Sequence, residues 1–240
     1  MQIFAKTDSG LKRETNQDSF YTGFLSDNSA IVIVCDGMGG ANAGNVASET
    51  ATNLIFDYIN KSYSNKLNRD SLSLLVKNAV ASANLSIYNM SKSDSKYSGM
   101  GTTAVVLIIR NGFAIVCHVG DSRAYLINDS INQITKDHSI VQTLVEDGKL
   151  TVEEAKKHPK KNVITRALGV EENVISDIIE FPINIGDTLL VCSDGLSNYV
   201  EESEIFEIIK NGSGDLADLL VEKANSGGGG DNITAVTVTL

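Results

Sequence analysis

Four aspartates stand beside glycine where apolar runs begin or end. They are Asp36 in IVIVCDGMGG, Asp121 in AIVCHVGDSR, Asp194 in LLVCSDGLS and Asp231 in GGGGDNITAV. A carboxylate at the mouth of a buried strand costs desolvation energy, and its pKa rises unless something partners it. Several such groups brought together also repel one another. A divalent cation held between them removes both problems, and hard cations such as Mg²⁺ and Mn²⁺ take carboxylate, carbonyl and water oxygens. Glycine next to the aspartate lets the backbone turn sharply and bring a carbonyl to the same ion. A single Asp-Gly is ordinary turn chemistry. Four of them, all at the ends of apolar runs and spread over most of the chain, point to a metal centre.

Other templates do not fit. No segment has the spacing of an EF-hand loop, and no GxxxxGK[ST] is present. GMGGANAG follows an apolar run and precedes a helical pattern, as a dinucleotide loop would. Asp36 just before it would repel a phosphate unless a metal intervened, so nucleotide binding stands as an alternative that would require affinity without divalent cation.

The elements that must position these aspartates read as a mixture. Strands are expected at residues 2–7 and 30–35. Helices are expected at 45–60, with Val46, Leu54, Ile55 and Ile59 near helical spacing, and at 72–90, with Leu75, Val76, Ala79, Ala83 and Ile87 on one face. From Thr102 to Thr135 short apolar runs alternate with RNG, GDS and NDS, the pattern of an antiparallel meander, and Asn111-Gly112 is a hairpin signal. Further strands are expected at 174–180, 187–192 and 233–239, with helices near 202–210 and 214–225. Helices in blocks around hairpins favour an α+β fold over a doubly wound parallel sheet. Runs such as AIVIVC and DTLLVC are apolar throughout, so both faces should be covered: two packed sheets with helices outside. Residues 137–170 differ, being polar, helical in pieces and rich in lysine, and read as an inserted surface flap.

The 240 residues carry 20 Lys plus Arg against 30 Asp plus Glu, a formal charge of −10. Such a chain is a poor partner for nucleic acid or an anionic membrane. With no apolar run of transmembrane length and no signal-like N-terminus, a soluble cytoplasmic protein is expected. Cys35, Cys117 and Cys192 all fall in apolar runs without a CxxC pair and read as buried thiols rather than a disulfide framework.

Seven ordered blocks, RETNQDSF, VCDGMGG, GMGTTAVV, HVGDSRAYL, TKDHS, CSDGLSNYV and GGDNITAV, resemble the metal-dependent protein phosphatases of type 2C, and most of all the short bacterial serine/threonine phosphatases. The resemblance covers nearly the whole chain. It implies one catalytic domain over residues 1–240, a four-layer αββα sandwich with two central antiparallel sheets and a flap at about 139–171. It implies hydrolysis of phosphoserine and phosphothreonine at a binuclear Mn²⁺ or Mg²⁺ centre. Asp36 would bridge the two ions, the Gly37 carbonyl would reach one, Asp194 and Asp231 would hold the other, and Asp18 would act through water. Asp121 with Asp194 would form a third, weaker site. Arg13 would grip the phosphate, and Arg13, Asp36 and Asp194 would carry catalysis. The implied partners are phosphorylated proteins and a bacterial serine/threonine kinase, for a monomer free of nucleic acid and membrane. One departure concerns the proton donor: relatives place histidine where this chain has Met38 or Ala41. A regulatory module that keeps the fold without activity is the second reading, and loss of Asp36, Asp194 or Asp231 would have favoured it.

Overall fold

The computed structural model describes residues 1–39 and 43–240; the Ala41 position lies outside them. Eleven strands form two antiparallel sheets among the described residues. The first sheet has the order β1–β11–β10–β7–β8, made of β1 (Gln2–Asp8), β11 (Ile233–Thr239), β10 (Thr188–Cys192), β7 (Arg123–Ile127) and β8 (Ile131–Gln133). The second has the order β2–β3–β5–β6–β9, made of β2 (Asp18–Phe24), β3 (Ala30–Met38), β5 (Ala104–Arg110), β6 (Phe113–Val119) and β9 (Asp177–Pro182), with the two-residue β4 (Gly101–Thr102) on the end of β3.

The wholly apolar strands are buried on both faces, as their composition requires. Alternate residues of β3 divide between two cores. Ile31, Ile33 and Cys35 face the helices α1 (Ala43–Ser62) and α2 (Arg69–Ser93), while Ala30, Val32 and Val34 pack between the sheets. Strand β5 divides in the same way, with Val106 and Ile108 outward and Val105, Leu107 and Ile109 inward. In the other sheet Leu190 and Cys192 of β10 face α6 (Glu202–Asn211) and α7 (Leu216–Ser226), while Leu189 and Val191 join the layer between the sheets. Helix, sheet, sheet, helix is the four-layer α+β arrangement expected. The three cysteines are buried and free, and no helix among the described residues is long and apolar enough to cross a membrane.

The strand expected at 174–180 runs at Asp177–Pro182, and a short helix at Asp194–Ser197 was not expected; two larger features also differ from the sequence reading. Strand β2 was not anticipated. Every residue of DSFYTGF except the last is half-buried, so no alternation marks it, and its strand state comes from pairing along β3 from Asp18–Asp36 to Phe24–Ala30. The run from β5 to β8 is not one meander either. β5 and β6 pair across the Asn111-Gly112 turn, where φ is 49° and 78° as a two-residue primed turn demands. The chain then leaves that sheet at Gly120, with φ of 110°, and β7 pairs with β10 in the other. That crossing places Asp121 at the same end of the sandwich as the other aspartates.

The layer between the sheets sets the alignment of both strand ends. Leu107→Ala, at a fully buried inter-sheet position, should lower unfolding stability by about 2–5 kcal/mol. The exposed Leu74→Ala should change it by less than about 0.5 kcal/mol. Urea denaturation followed by circular dichroism measures both.

Candidate metal centre

Each aspartate reaches one end of the sandwich by a different route. Asp18 opens β2 and lies directly across from Asp36 near the end of β3. Asp121 sits on the crossing between the sheets, Asp194 opens the short helix α5 (Asp194–Ser197) after β10, and Asp231 precedes β11. All five side chains are partly buried.

The backbone around Asp36 is held on every side. Its N–H donates to Thr103 Oγ1 at 2.9 Å, and its carbonyl accepts from Thr103 N and Thr102 Oγ1, both at 2.9 Å. Thr103 Oγ1 in turn lies 2.7 Å from Ser122 Oγ, which ties the Asp36 strand end to the residue after Asp121. Asp18 Oδ2 accepts from Ser193 Oγ and Thr234 Oγ1, both at 2.7 Å, so the two sheets are joined through this carboxylate. Asp18 Oδ1 is buried without a partner. Gly37 is required by proximity: a Cβ there would collide with the Gly44 carbonyl. Gly44 is bare for a matching reason, since a Cβ on it would stand 2.9 Å from the Gly37 carbonyl oxygen.

Several of these groups carry no signal in the sequence patterns sought. Asn232 is buried; its Oδ1 accepts from Gln17 N at 2.8 Å, and its Nδ2 donates to the carbonyls of Ser9 and Thr15 at 3.0 and 2.9 Å. It pins the loop that carries Arg13. Thr103, Ser122, Ser193 and Thr234 likewise support the aspartates. Their signal was adjacency, since each lies beside or within a motif block. Arg13 does not reach into open space: Nη2 donates to Asp231 Oδ2 at 2.9 Å. This ion pair, with the more distant Asp194 and Asp36, holds its pKa above the ordinary value. Met38 pairs with Gly101, and a Cβ on Gly101 would meet the Met38 methyl at 2.7 Å.

The electrostatics are those of like charges forced together. Burial is the first cause, with neighbouring carboxylates adding to it. Asp18 is raised to about 7, against the pull of the Thr234 and Ser193 hydroxyls. Asp121 is raised to about 8 and Asp194 to about 6. Asp36, facing Asp18, Asp194, Asp121 and Asp231, is held well above the ordinary carboxylate range. Among the described residues no three of these carboxylates offer oxygens within 4.8 Å of one another. They could not all close on one small ion. An all-oxygen set with an unpartnered buried oxygen and an uncrowded carbonyl fits hard divalent ions that keep several waters.

The trio that does come within 4.8 Å is His118, His138 and Asp177. It is a poorer metal site. His138 Nδ1 accepts from Gly120 N at 3.1 Å, which leaves the ring proton on Nε2, 3.2 Å from Asp177 Oδ2. Arg166 Nη1 already supplies a cation there, 3.0 Å from both Nε2 and Asp177 Oδ1. His118 is buried with both nitrogens unpartnered, and burial lowers its pKa to about 4, so it stays neutral.

Beside the aspartates a cleft of about 430 Å³ runs between residues 137–162 and the start of α6, lined by Asp121, Asp194, Arg123, Lys156 and Lys161 among others. No histidine lines it. His158 lies on the flap, its Nδ1 accepting from Lys160 N.

Two antiparallel sheets with paired outer helices, and five aspartates gathered at one end, are the frame on which the comparisons with known proteins bear. The profile of the protein phosphatase 2C family matches residues 11–218, and the chain belongs to that family. It is similar to the serine/threonine phosphatase stp of Listeria monocytogenes, at 42% identity over 236 residues, 97% of this chain and 93% of that protein. Among solved structures it is similar to the serine/threonine phosphatase Stp1 from Staphylococcus aureus, with TM-score 0.93 and 33% identity over 100% of this chain and 94% of that one. It is also similar to the catalytic domain of the phosphatase PstP in complex with two manganese ions, with TM-score 0.85 and 35% identity over 98% and 96%.

Raised carboxylate pKa values mean that the folded chain binds protons more tightly than the unfolded one, so these groups favour folding least once ionised. Their contribution to metal-free stability should therefore fall as pH rises from about 4, where the unfolded carboxylates ionise, to about 8, the raised value of Asp121, with Asp194 and Asp18 titrating in between. In EDTA the melting midpoint should drop by roughly 5 °C or more across that range. Mn²⁺ should remove most of the drop, and Asp36→Asn should flatten it without metal. Calorimetry at fixed ionic strength measures all three.

Proposed function

We propose that the aspartate cluster is the catalytic centre of a protein serine/threonine phosphatase, which hydrolyses phosphoserine and phosphothreonine in phosphorylated proteins. Family membership makes the chain a phosphoric monoester hydrolase; the observation that carries the residue assignment is the convergence of Asp18, Asp36, Asp121, Asp194 and Asp231 on one end of the sandwich. In this reading Asp36, the Gly37 carbonyl, Asp194 and Asp231 would hold the divalent ions, with Asp18 contributing through water. Asp121 with Asp194 offers a third, weaker site. Mn²⁺ or Mg²⁺, when bound, would neutralise phosphoryl charge and lower the pKa of a water in the cleft toward neutrality.

The chain's own residues do the rest. The Thr102 and Thr103 hydrogen bonds fix Asp36, so that its carboxylate need not reorganise as charge develops on the substrate. The Ser193 and Thr234 hydroxyls hold Asp18 Oδ2 and leave Oδ1 turned away from them. Arg13, paired with Asp231 in the free chain, would turn its planar fork to the non-bridging oxygens of a substrate phosphate. Met38 has no proton to give and no histidine lines the cleft, so a water there protonates the departing serine or threonine oxygen. The whole chain acts as one catalytic domain, with residues 139–171 as a flap over the cleft. The proposed setting is that of a cytoplasmic monomer opposing a bacterial serine/threonine kinase, in keeping with relatives that are bacterial serine/threonine phosphatases.

Phosphate release from a phosphothreonine peptide should require Mn²⁺ or Mg²⁺ and stop in excess EDTA. Asp194→Asn should reduce turnover on the order of 10²-fold or more. A folded protein with no turnover under either metal would make the regulatory-module reading the better one. Arg13→Ala should lower kcat/KM by about 10- to 100-fold, mostly through KM. Arg13→Lys should recover only part, because an ammonium cannot donate the paired bonds.

A further inference from the structure

The flap carries a charge pattern that the rest of the chain lacks. Lys156, Lys157, Lys160 and Lys161 fall within six residues of a chain whose net charge is −10. Lys156 is occupied: its Nζ lies 2.7 Å from Glu201 Oε2 and 3.4 Å from Glu153 Oε1. Lys157, Lys160 and Lys161 are exposed. Among the described residues none of the three forms an ion pair; Lys12, Lys61, Lys66, Lys77, Lys92 and Lys210 form none either, so what sets the flap lysines apart is their clustering beside the cleft.

The backbone that presents them is fixed by consecutive turns. His158 N donates to the Ala155 carbonyl at 3.1 Å, Lys161 N to the His158 carbonyl at 3.0 Å, and Val163 N to the Lys160 carbonyl at 3.1 Å. The His158 ring accepts from Lys160 N at 3.1 Å, so this histidine braces the turn. Pro159 restricts it further. Three unpaired ammonium groups on a preorganised turn lose less entropy on binding an anion than three on a free loop. Lys161 also lines the cleft that holds Asp121 and Asp194, so the basic rim opens directly onto the proposed catalytic end.

We propose that Lys157, Lys160 and Lys161 form a docking rim for an acidic stretch of the phosphoprotein substrate, flanking the phosphorylated residue as that residue enters the cleft. The proposal rests on the phosphatase reading and adds a substrate preference to it. Charge complementarity favours a short peptide as the occupant. An extended polyanion or an anionic bilayer laid across the flap would also meet the acidic surface around it, including Glu153, Glu201 and Glu202, whereas a single strand can touch the rim alone. Selectivity should be strongly salt-dependent, since exposed charges are screened within about 3 Å at about 1 M salt.

The test uses the full chain with Mn²⁺ and compares kcat/KM for a phosphothreonine peptide flanked by glutamates, the same peptide flanked by glutamines, and p-nitrophenyl phosphate. At low salt the wild type should prefer the glutamate peptide by roughly 10-fold, from about 1.5- to 5-fold per lysine. The preference should fall by at least about 2-fold in Lys157→Gln/Lys160→Gln, two residues that do not line the cleft, and should vanish when Lys161→Gln is added or at about 1 M salt. In the double variant p-nitrophenyl phosphate hydrolysis should stay within about 2-fold. Equal use of both peptides by the wild type overturns the proposal, as does a preference that survives in the triple variant. Loss of p-nitrophenyl phosphate hydrolysis in the double variant also overturns it, by placing these lysines in the chemistry. Lysine-dependent binding to phosphatidylglycerol vesicles without peptide selectivity would reassign the patch to a membrane surface. Failure of the wild type to hydrolyse any of the three substrates would instead remove the phosphatase reading, and the docking proposal with it.

Discussion

Five carboxylates held together against their mutual repulsion are the constraint around which this chain is arranged. Burial and like charge both disfavour their ionised forms, and local structure alone would let them separate. What keeps them together is the layer between the sheets, where Leu107, Val191 and their neighbours lock the two sheets in alignment and so fix the relative position of the ends of β3, β6 and β10 and the start of β11.

Hydroxyl and amide side chains turn that convergence into a defined site. Ser193 and Thr234 reach across from one sheet to Asp18 in the other, Thr103 and Ser122 join the Asp36 and Asp121 segments, and Asn232 pins the Arg13 loop through three hydrogen bonds. Each is a buried polar group with its partners supplied, so each contributes position at little desolvation penalty. Asp18 Oδ1 is the exception, buried without a partner, which suits the water-mediated role proposed for it.

The His138 cluster joins the base of the flap to the crossing between the sheets. His138 N donates to the Gly120 carbonyl and Thr165 N to the His138 carbonyl, both at 2.7 Å, while Arg166 and Asp177 bracket the ring. The cluster lends order to the junction through the His138 ring, whose two nitrogens are both engaged. The Lys156–Glu201 ion pair joins the far side of the flap to α6 and closes the cleft between two anchored walls.

The sequence by itself determined the local and the chemical parts of this protein. Asn111-Gly112 specifies its turn through the two positive φ angles it tolerates. The periodicity of α1 and α2 specifies helices, and the paired glycines and aspartates specify where apolar strands must give way to charge. These are nearest-neighbour effects of backbone freedom and side-chain spacing, so they survive without knowledge of the fold. Only the tertiary structure decided the rest. Strand β2 exists because β3 offers it a partner. The GDS segment crosses between sheets because β7 finds its register on β10 rather than β6. Arg13 meets Asp231, Asn232 meets Ser9, Thr15 and Gln17, and Asp18 meets Ser193 across more than 170 positions of sequence. Such pairings depend on which strand lies beside which. That is settled by burying apolar faces over the whole molecule, not by any one segment's composition.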